Sequence, residues 1–259
     1  MKILLTGYKG FIGSNLLPLL KKYNVVGVDI INGSDIFNDY FENEVKNCDV
    51  VIHLAALTNV EDSKKNPKPY YMTNVLGTAR IVYLCMKYHK KMIYPSTLHV
   101  FNPDASPYAD SKLAAESIVQ ICRQFTPTVI LRLYNVFGRG MNNNSGSIIN
   151  MFLKSPVIEV YGKGDVKRDF IHVKDVVSII ANSIKSKYDG KVVEVGTGIG
   201  TSIKKIAQLF SKYRGVDIKY LLNKKQLKWP IADTKILNQL YKKKIKTDLE
   251  KDIHELCLS

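Results

Sequence analysis

Apolar residues fall along this chain in two alternating patterns, short unbroken runs and longer stretches with helical spacing. The short runs cover residues 3–6, 25–29, 49–54, 91–94 and 128–133. Val50, Val51 and Ile52, like Val129, Ile130 and Leu131, are apolar at consecutive positions, as in strands buried on both faces. Between the runs, residues 11–22, 69–88 and 108–125 repeat their apolar positions at helical intervals. This alternation predicts a parallel sheet with helices on both faces. Pro18 falls inside the first helical stretch, removes one intrahelical bond and predicts a bend there. Residues 30–34 alone separate the second strand from Asp35, Ile36 and Phe37, too little for a helix and a further strand. That unit is expected to be trimmed to a loop.

Beyond residue 133 the pattern loosens into a Gly- and Asn-rich stretch at 137–147. Shorter elements are predicted after it: a helix at 148–153, a strand at 158–161 and a bend at 162–165. A helix at 173–186, a strand at 192–195 and a helix at 202–210 follow, with terminal helices near 234–240 and 249–257. The expected division is a sheet domain over 1–136 and a smaller lobe over 137–259, some later segments returning to the sheet. There is no internal repeat.

At 259 residues and 46% hydrophobic content the chain can bury a large core. No apolar run approaches the roughly 18 residues of a membrane span, and the start does not resemble a signal peptide. Cys48, Cys85, Cys122 and Cys257 are widely spaced and read as reduced thiols, so a cytoplasmic location is expected. The sequon at 143–145 then carries no glycan. The net charge of +15 raises the question of nucleic-acid binding, but only six of the 38 cations are Arg and the lysines are scattered. The basic surface is read as steering for a small anionic substrate, with no nucleic-acid or membrane partner. No metal site is expected.

Three local motifs carry the chemistry. Gly7, Gly10 and Gly13 follow the first strand and open the first helix, the context of a dinucleotide fingerprint with one extra residue in its spacing. Such glycines permit a tight turn, close approach of backbone to a pyrophosphate, and close packing of helix on strand. Asp29 ends the second strand near the ~20-residue offset at which a carboxylate meets the adenosine ribose. It disfavours a 2′-phosphate, so NAD is expected over NADP; Lys9, inside the loop, is the feature that points the other way. Ser96 and Thr97 follow directly after the fourth apolar run, at a strand end. Tyr108 and Lys112 are four apart, one helical turn on one face. A phenol titrates near ~10, too high for a base at neutral pH. The Lys112 ammonium and a positive nicotinamide ring are expected to lower it. Tyr108 can then take a proton from a sugar hydroxyl while Thr97 bonds the same oxygen.

Together with His53–Ala56, Asn74–Thr78, Arg132–Asn135, Arg168–Val173 and Val195–Gly198, these motifs resemble the extended short-chain dehydrogenase/reductases, in particular the nucleotide-sugar epimerase/dehydratase family. The likeness runs nearly end to end. It implies a Rossmann-type doubly wound α/β fold with a small C-terminal substrate-binding lobe. It also implies that Phe11 and Ile12 hold a pyrophosphate, and that Asp29, Asp35 and Ile36 hold an adenosine. Leu54, Ala55, Ala56 and Asn74 would line the cofactor groove, and Tyr134 would lie beside the nicotinamide. Asn135 and Arg168 would take the phosphates of a nucleotide sugar, a UDP-sugar first among them. In relatives the helices at 74–88 and 108–125 pair across a dimer axis, which implies a homodimer.

Departures from the family pattern bear on the reaction. Leu98 and His99 stand where family dehydratases carry an Asp-Glu pair, so no dehydratase activity is expected. His99 reads either as a second acid near the sugar or as a hydrogen-bonded loop histidine. Residues 102–106 shorten the segment before Tyr108, and Trp229 lies where an arginine motif would fall and could stack on a base. The resulting expectation is an NAD-dependent UDP-sugar 4-epimerase working through a transient 4-keto sugar. The rival is an NAD(P)H-dependent 4-ketoreductase of a nucleotide-linked keto-deoxysugar. A non-catalytic nucleotide-binding protein is the remaining class, against which Thr97, Tyr108 and Lys112 all stand.

Overall fold

The computed structural model describes residues 1–141, 146–185, 190–222 and 228–258. The sequon at 143–145 and the last residue of the helix expected at 173–186 lie outside the described residues. The strands in chain order are β1 (Lys2–Thr6), β2 (Asn24–Val28), β3 (Val50–His53), β4 (Lys91–Thr97), β5 (Thr128–Leu133) and β6 (Asn135–Phe137). They continue as β7 (Ile158–Tyr161), β8 (Lys167–His172), β9 (Lys191–Val195), β10 (Gly200–Ser202) and β11 (Ile218–Leu221). The α-helices begin with α1 (Phe11–Leu16), α2 (Tyr40–Lys46), α3 (Val60–Lys65), α4 (Lys68–Tyr70), α5 (Thr78–Lys87) and α6 (Pro107–Cys122). They end with α7 (Ile148–Lys154), α8 (Val173–Ser183), α9 (Ile203–Arg214), α10 (Lys235–Leu240) and α11 (Leu249–Cys257).

Six strands form one parallel sheet in the order β2-β1-β3-β4-β5-β9. Every residue of β3 is buried, as are the first four of β5, matching their unbroken apolar runs. β2 is the edge strand, and the segment after it makes one 3₁₀ turn, Ile30–Asn32, before Asp35 and Ile36. The expected trimming is therefore present. One core layer lies under α1 and α8 and includes Leu5, Ile52, Leu131 and Ile180; the other lies under α2, α5 and α6 and includes Leu4, Val51, Ile81 and Val119. A separate cluster built on Phe137, Phe152, Phe170 and Phe210 fills the space among α7, α9, α11 and the short sheets β10-β8-β6 and β11-β7.

Several boundaries differ from the sequence-based expectation for identifiable reasons. The first helix stops at Leu16 and tightens into a 3₁₀ turn, Leu17–Leu20, with Pro18 near its start. The stretch expected as one helix over 69–88 is broken by a π-helical turn, Tyr71–Gly77, ahead of α5. β4 runs three residues past the predicted end, to Thr97. The strand β8 was not expected at all, because Arg168 and Asp169 interrupt its apolar pattern.

Candidate active site

β1 is followed in sequence by β2 on one side of it and, across the crossover, by β3 on the other, so a crevice opens at the carboxyl ends of β1 and β3. The glycine loop lies there. Gly7 has φ +69°, and a Cβ on it would come within 2.6 Å of the Ala55 backbone nitrogen. A Cβ on Gly13 would meet the Tyr8 Cα at 2.6 Å, so α1 sits directly against the turn. Gly10 is exposed and borders more open space. Loop and sheet edge are tied by Asp29, whose carboxylate accepts from the Lys9 backbone N–H at 2.9 Å and from the Ile31 N–H at 3.1 Å. Asp29 is thereby fixed beside the loop at the end of β2. The Lys9 side chain is exposed, with its ammonium 5.9 Å from the Tyr8 ring centre, away from the Asp29 carboxylate that its backbone holds.

These features fit a dinucleotide: only glycine tolerates the approach at Gly7 and Gly13, and the fixed carboxylate retains lone pairs for ribose hydroxyls. Leu54, Ala55 and Ala56 leave β3 half-buried along the crevice. Asn74, in the π turn, accepts from the Leu57 N–H at 2.9 Å and donates to the Leu57 carbonyl and the Ser111 hydroxyl, both at 3.0 Å. It clamps the crevice wall to α6. Ile36 is buried against Gly77, while Asp35 caps the Phe37 N–H. Phe11 and Ile12 are half-buried in the first turn of α1.

Thr97 closes β4 and Tyr108 stands in the first turn of α6, where Ser106 caps the helix by accepting from the Ala109 N–H at 3.2 Å and Pro107 opens it. The Thr97 hydroxyl, which accepts from the His99 N–H at 3.3 Å, stands beside the Tyr108 phenol. Burial pushes the Tyr108 phenol above its usual pKa, and the Thr97 hydroxyl pulls it back. Lys112 is buried too, and desolvation brings its ammonium down to about 7 against an opposing pull from Glu116. Lys112 Nζ donates to the Tyr94 hydroxyl at 2.7 Å and the Pro95 carbonyl at 3.1 Å, so the amine is held by buried oxygen acceptors at the end of β4.

The neighbouring wall is formed by His99, Trp229 and Arg168. The His99 ring lies edge-on to Tyr108 at 5.4 Å and against Trp229 at 4.6 Å. Burial, reinforced by Arg168, holds His99 down to about 4, so it is neutral near pH 7. Among the described residues its Nδ1 has no hydrogen-bond partner, nor has Arg168 Nε. Trp229 packs with Leu98, Tyr134 and Ala232, so its ring is engaged by the chain itself. Arg168 is half-buried, and among the described residues it makes no ion pair; desolvation lowers its pKa. Tyr134 donates to Glu194 at 2.7 Å, and Asn135 donates to the Asp169 carbonyl at 2.8 Å. Asp169 is wholly buried and accepts from Thr197, Gly198 and Ala232, which fastens β8 to the loops around it.

Sequence reasoning missed two groups beside the site. Ser96 donates to Glu116 at 2.6 Å, and Glu116 also takes Arg132 Nε at 3.0 Å, a buried pair behind Lys112. The spacing of Glu116 four residues after Lys112 was the available signal. Tyr94 was the other, concealed as one aromatic in an apolar run.

Comparison with known proteins agrees with this arrangement. Residues 3–196 match the family model described as "NAD dependent epimerase/dehydratase family". A GDP-6-deoxy-D-talose 4-dehydrogenase from Aggregatibacter actinomycetemcomitans is 32% identical, over 81% of this chain and 79% of its own length. A putative UDP-glucose 4-epimerase from Methanocaldococcus jannaschii is 30% identical, over 79% of each. Among solved structures, the UDP-N-acetylglucosamine 4-epimerase of Methanobrevibacter ruminantium, in complex with UDP-N-acetylmuramic acid, superposes with a TM-score of 0.88 at 26% identity, covering 99% of this chain and 97% of that one. The chain belongs to the NAD-dependent epimerase/dehydratase family, enzymes of the extended short-chain dehydrogenase/reductase group with a Rossmann-type parallel sheet.

Proposed function

We propose that the protein is a nucleotide-sugar 4-epimerase acting on a UDP-sugar. The observation that carries this reading is the meeting of Thr97, Tyr108 and Lys112 at the carboxyl end of β4, beside a glycine turn that admits no side chain. Gly7, Gly10, Phe11, Ile12 and Gly13 would hold the pyrophosphate of NAD, Asp29, Asp35 and Ile36 its adenosine, and Leu54, Ala55, Ala56, Asn74 and Tyr134 the rest of the groove. Held there, NAD would supply reversible hydride acceptance at the sugar C4, the chemistry that passes through a 4-keto sugar.

The chain's own residues handle the proton and the position. Tyr108 takes the proton from the C4 hydroxyl and later returns it, while Thr97 donates to the same oxygen. Burial alone disfavours the phenolate, so the base forms once positive charge reaches the groove beside it. Lys112 is the nearest source of that charge in the chain. Arg168 and Asn135 face the diphosphate in this reading; Arg168 is half-buried, and its buried Nε, without a partner among the described residues, is a donor that an anionic ligand would satisfy. In this reading His99 bonds the sugar, supported by its neutral ring and its Nδ1, unpaired among the described residues. Leu98 supplies no acid for water loss, which supports epimerisation over dehydration.

A second reading is favoured by the 32% identity to a GDP-6-deoxy-D-talose 4-dehydrogenase: net oxidation or reduction at the same carbon, with NAD(P)(H) exchanged at each turnover. The test is whether purified protein carries a tightly held dinucleotide and interconverts UDP-glucose and UDP-galactose without added NADH or NADPH. Oxidation of NADPH or NADH by a 4-keto sugar, with no co-purifying dinucleotide, would select the second reading. In either, Tyr108→Phe is expected to leave dinucleotide affinity within about twofold and lower turnover by at least ~10². Wild-type turnover in that variant would remove both.

A further inference from the structure

Behind Lys112 runs a line of buried polar groups that the chemistry above does not use. Lys112 Nζ donates to the Tyr94 hydroxyl at 2.7 Å. Thr78 stands beside that hydroxyl. Thr78 Oγ1 meets His53 Nε2 at 3.0 Å, and His53 Nδ1 meets Thr6 Oγ1 at 2.8 Å. Thr6 is the last residue of β1, immediately before Gly7, and its hydroxyl also accepts from the Ala55 N–H at 3.2 Å. No member of the line is more than 8% exposed: Thr6 0%, His53 2%, Thr78 1%, Tyr94 1% and Lys112 5%.

The His53 links to Thr78 and Thr6 leave one hydroxyl hydrogen over at one end of the line in either order, so the Tyr94 oxygen is fixed as an acceptor by the Lys112 contact itself. Burial opposes the ammonium and holds Lys112 down to about 7. The other ionisable groups around it are Tyr108 and Glu116 on its own helix, and His53 on β3. Glu116 is shared with Ser96 and Arg132, and His53 is kept neutral, so Tyr94 supplies the direct side-chain acceptor.

We propose that Tyr94 is a positioning residue for Lys112: its hydroxyl, standing beside the Thr78–His53–Thr6 bonds that lead to the glycine turn, holds the amine as an ammonium beneath the catalytic tyrosine. The proposal rests on the reading of Lys112 as part of the catalytic pair. It makes the charge that Tyr108 needs depend on a hydroxyl that touches neither sugar nor dinucleotide, and it links the state of that charge to the strand end that carries the cofactor loop.

The test follows the Lys112 Cε resonance by NMR in ¹³C-lysine-labelled protein, assigned by its loss in Lys112→Met, with no substrate or dinucleotide added. Lys112 is expected to titrate near neutrality in the wild type and at least about one pH unit lower in Tyr94→Phe, because a hydrogen bond to a charged group is lost. Thr78→Val, which keeps the acceptor but removes the hydroxyl beside it, should shift it in the same direction by less, and decides the question if Tyr94→Phe does not fold by circular dichroism. A Lys112 midpoint unchanged or raised in a folded variant overturns the proposal. Failure of the catalytic reading shows separately, as wild-type turnover of UDP-glucose by Tyr108→Phe, and leaves the titration result intact.

Discussion

His53, held between two threonine hydroxyls at the end of β3, is an acid-sensitive joint in the molecule. Desolvation, aided by Lys112, keeps it neutral down to about pH 3, whereas in an unfolded chain it would protonate near ~6.5. Above that pH both states bind the same number of protons at this site, and it adds no pH dependence. Below it the unfolded chain takes a proton that the folded one refuses. Stability therefore falls as pH drops from about 6.5 toward 3, by up to ~1.4 kcal/mol per pH unit from this residue. His53→Gln keeps an amide donor and acceptor but cannot protonate. Melting temperatures measured between pH 7 and 4.5 should fall less steeply in that variant than in the wild type, and parallel slopes would refute the assignment. The three buried cysteines show the same physics with opposite sign: burial raises their thiols, Cys48 to about 11, and among the described residues all cysteines are free.

At the scale of elements, the start of α6 decides where Tyr108 points. Ser106 caps the helix, Pro107 presets its first turn, and Tyr108 follows immediately. Ser106→Ala should cost about 1 kcal/mol of stability. Fraying of that turn should also lower turnover several-fold while dinucleotide affinity holds, since the loop at Gly7 is not part of α6. Denaturant unfolding with fluorescence titration of NAD separates the two effects; a loss of affinity equal to the loss of turnover would place the fault elsewhere. This helix start was legible in the sequence, as were the glycine turn and the run of parallel strands, because each is encoded by neighbours a few residues apart. The end of β4 was not. Pro95 and Ser96 read as a break, yet pairing with β3 stops at Ile93, so Pro95 lies where β4 has a strand partner on one side only. β8 was hidden for a different reason: its Arg168 and Asp169 are polar in a buried strand, and the groups that satisfy Asp169 come from residues 197, 198 and 232. Local periodicity carries no trace of such distant partners. The same holds for Lys112, whose motif was plain while its partner Tyr94 sat unmarked in an apolar run.

For the whole molecule, the apolar surface and the charge act against each other. Met72, Leu76 and Tyr83 form an exposed apolar stripe along the π turn and α5, and Ile121 and Phe125 are exposed at the end of α6. These two helices pack side by side over the same core layer, so the exposed side chains belong to one face. Large side chains grouped on one exposed face are a common mark of an interface. Two-fold symmetry would let the same face meet itself, which is the simplest closed assembly for such a surface. Each copy, however, carries a net charge of +15, so like copies repel at long range. The repulsion is screened over roughly 8 Å at physiological ionic strength, while apolar burial persists. The expected outcome is a dimer of 29.3 kDa chains in light scattering at moderate salt, with dissociation promoted by lowering the salt. Tyr83→Glu combined with Ile121→Glu should give a folded monomer, because two carboxylates would be buried without partners at the interface. A wild-type mass of one chain at micromolar concentration and moderate salt, or an unaltered dimer in the double variant, would show that this face has another use. Because Tyr108 and Lys112 lie on the buried side of α6, away from Ile121, the monomer should still bind NAD.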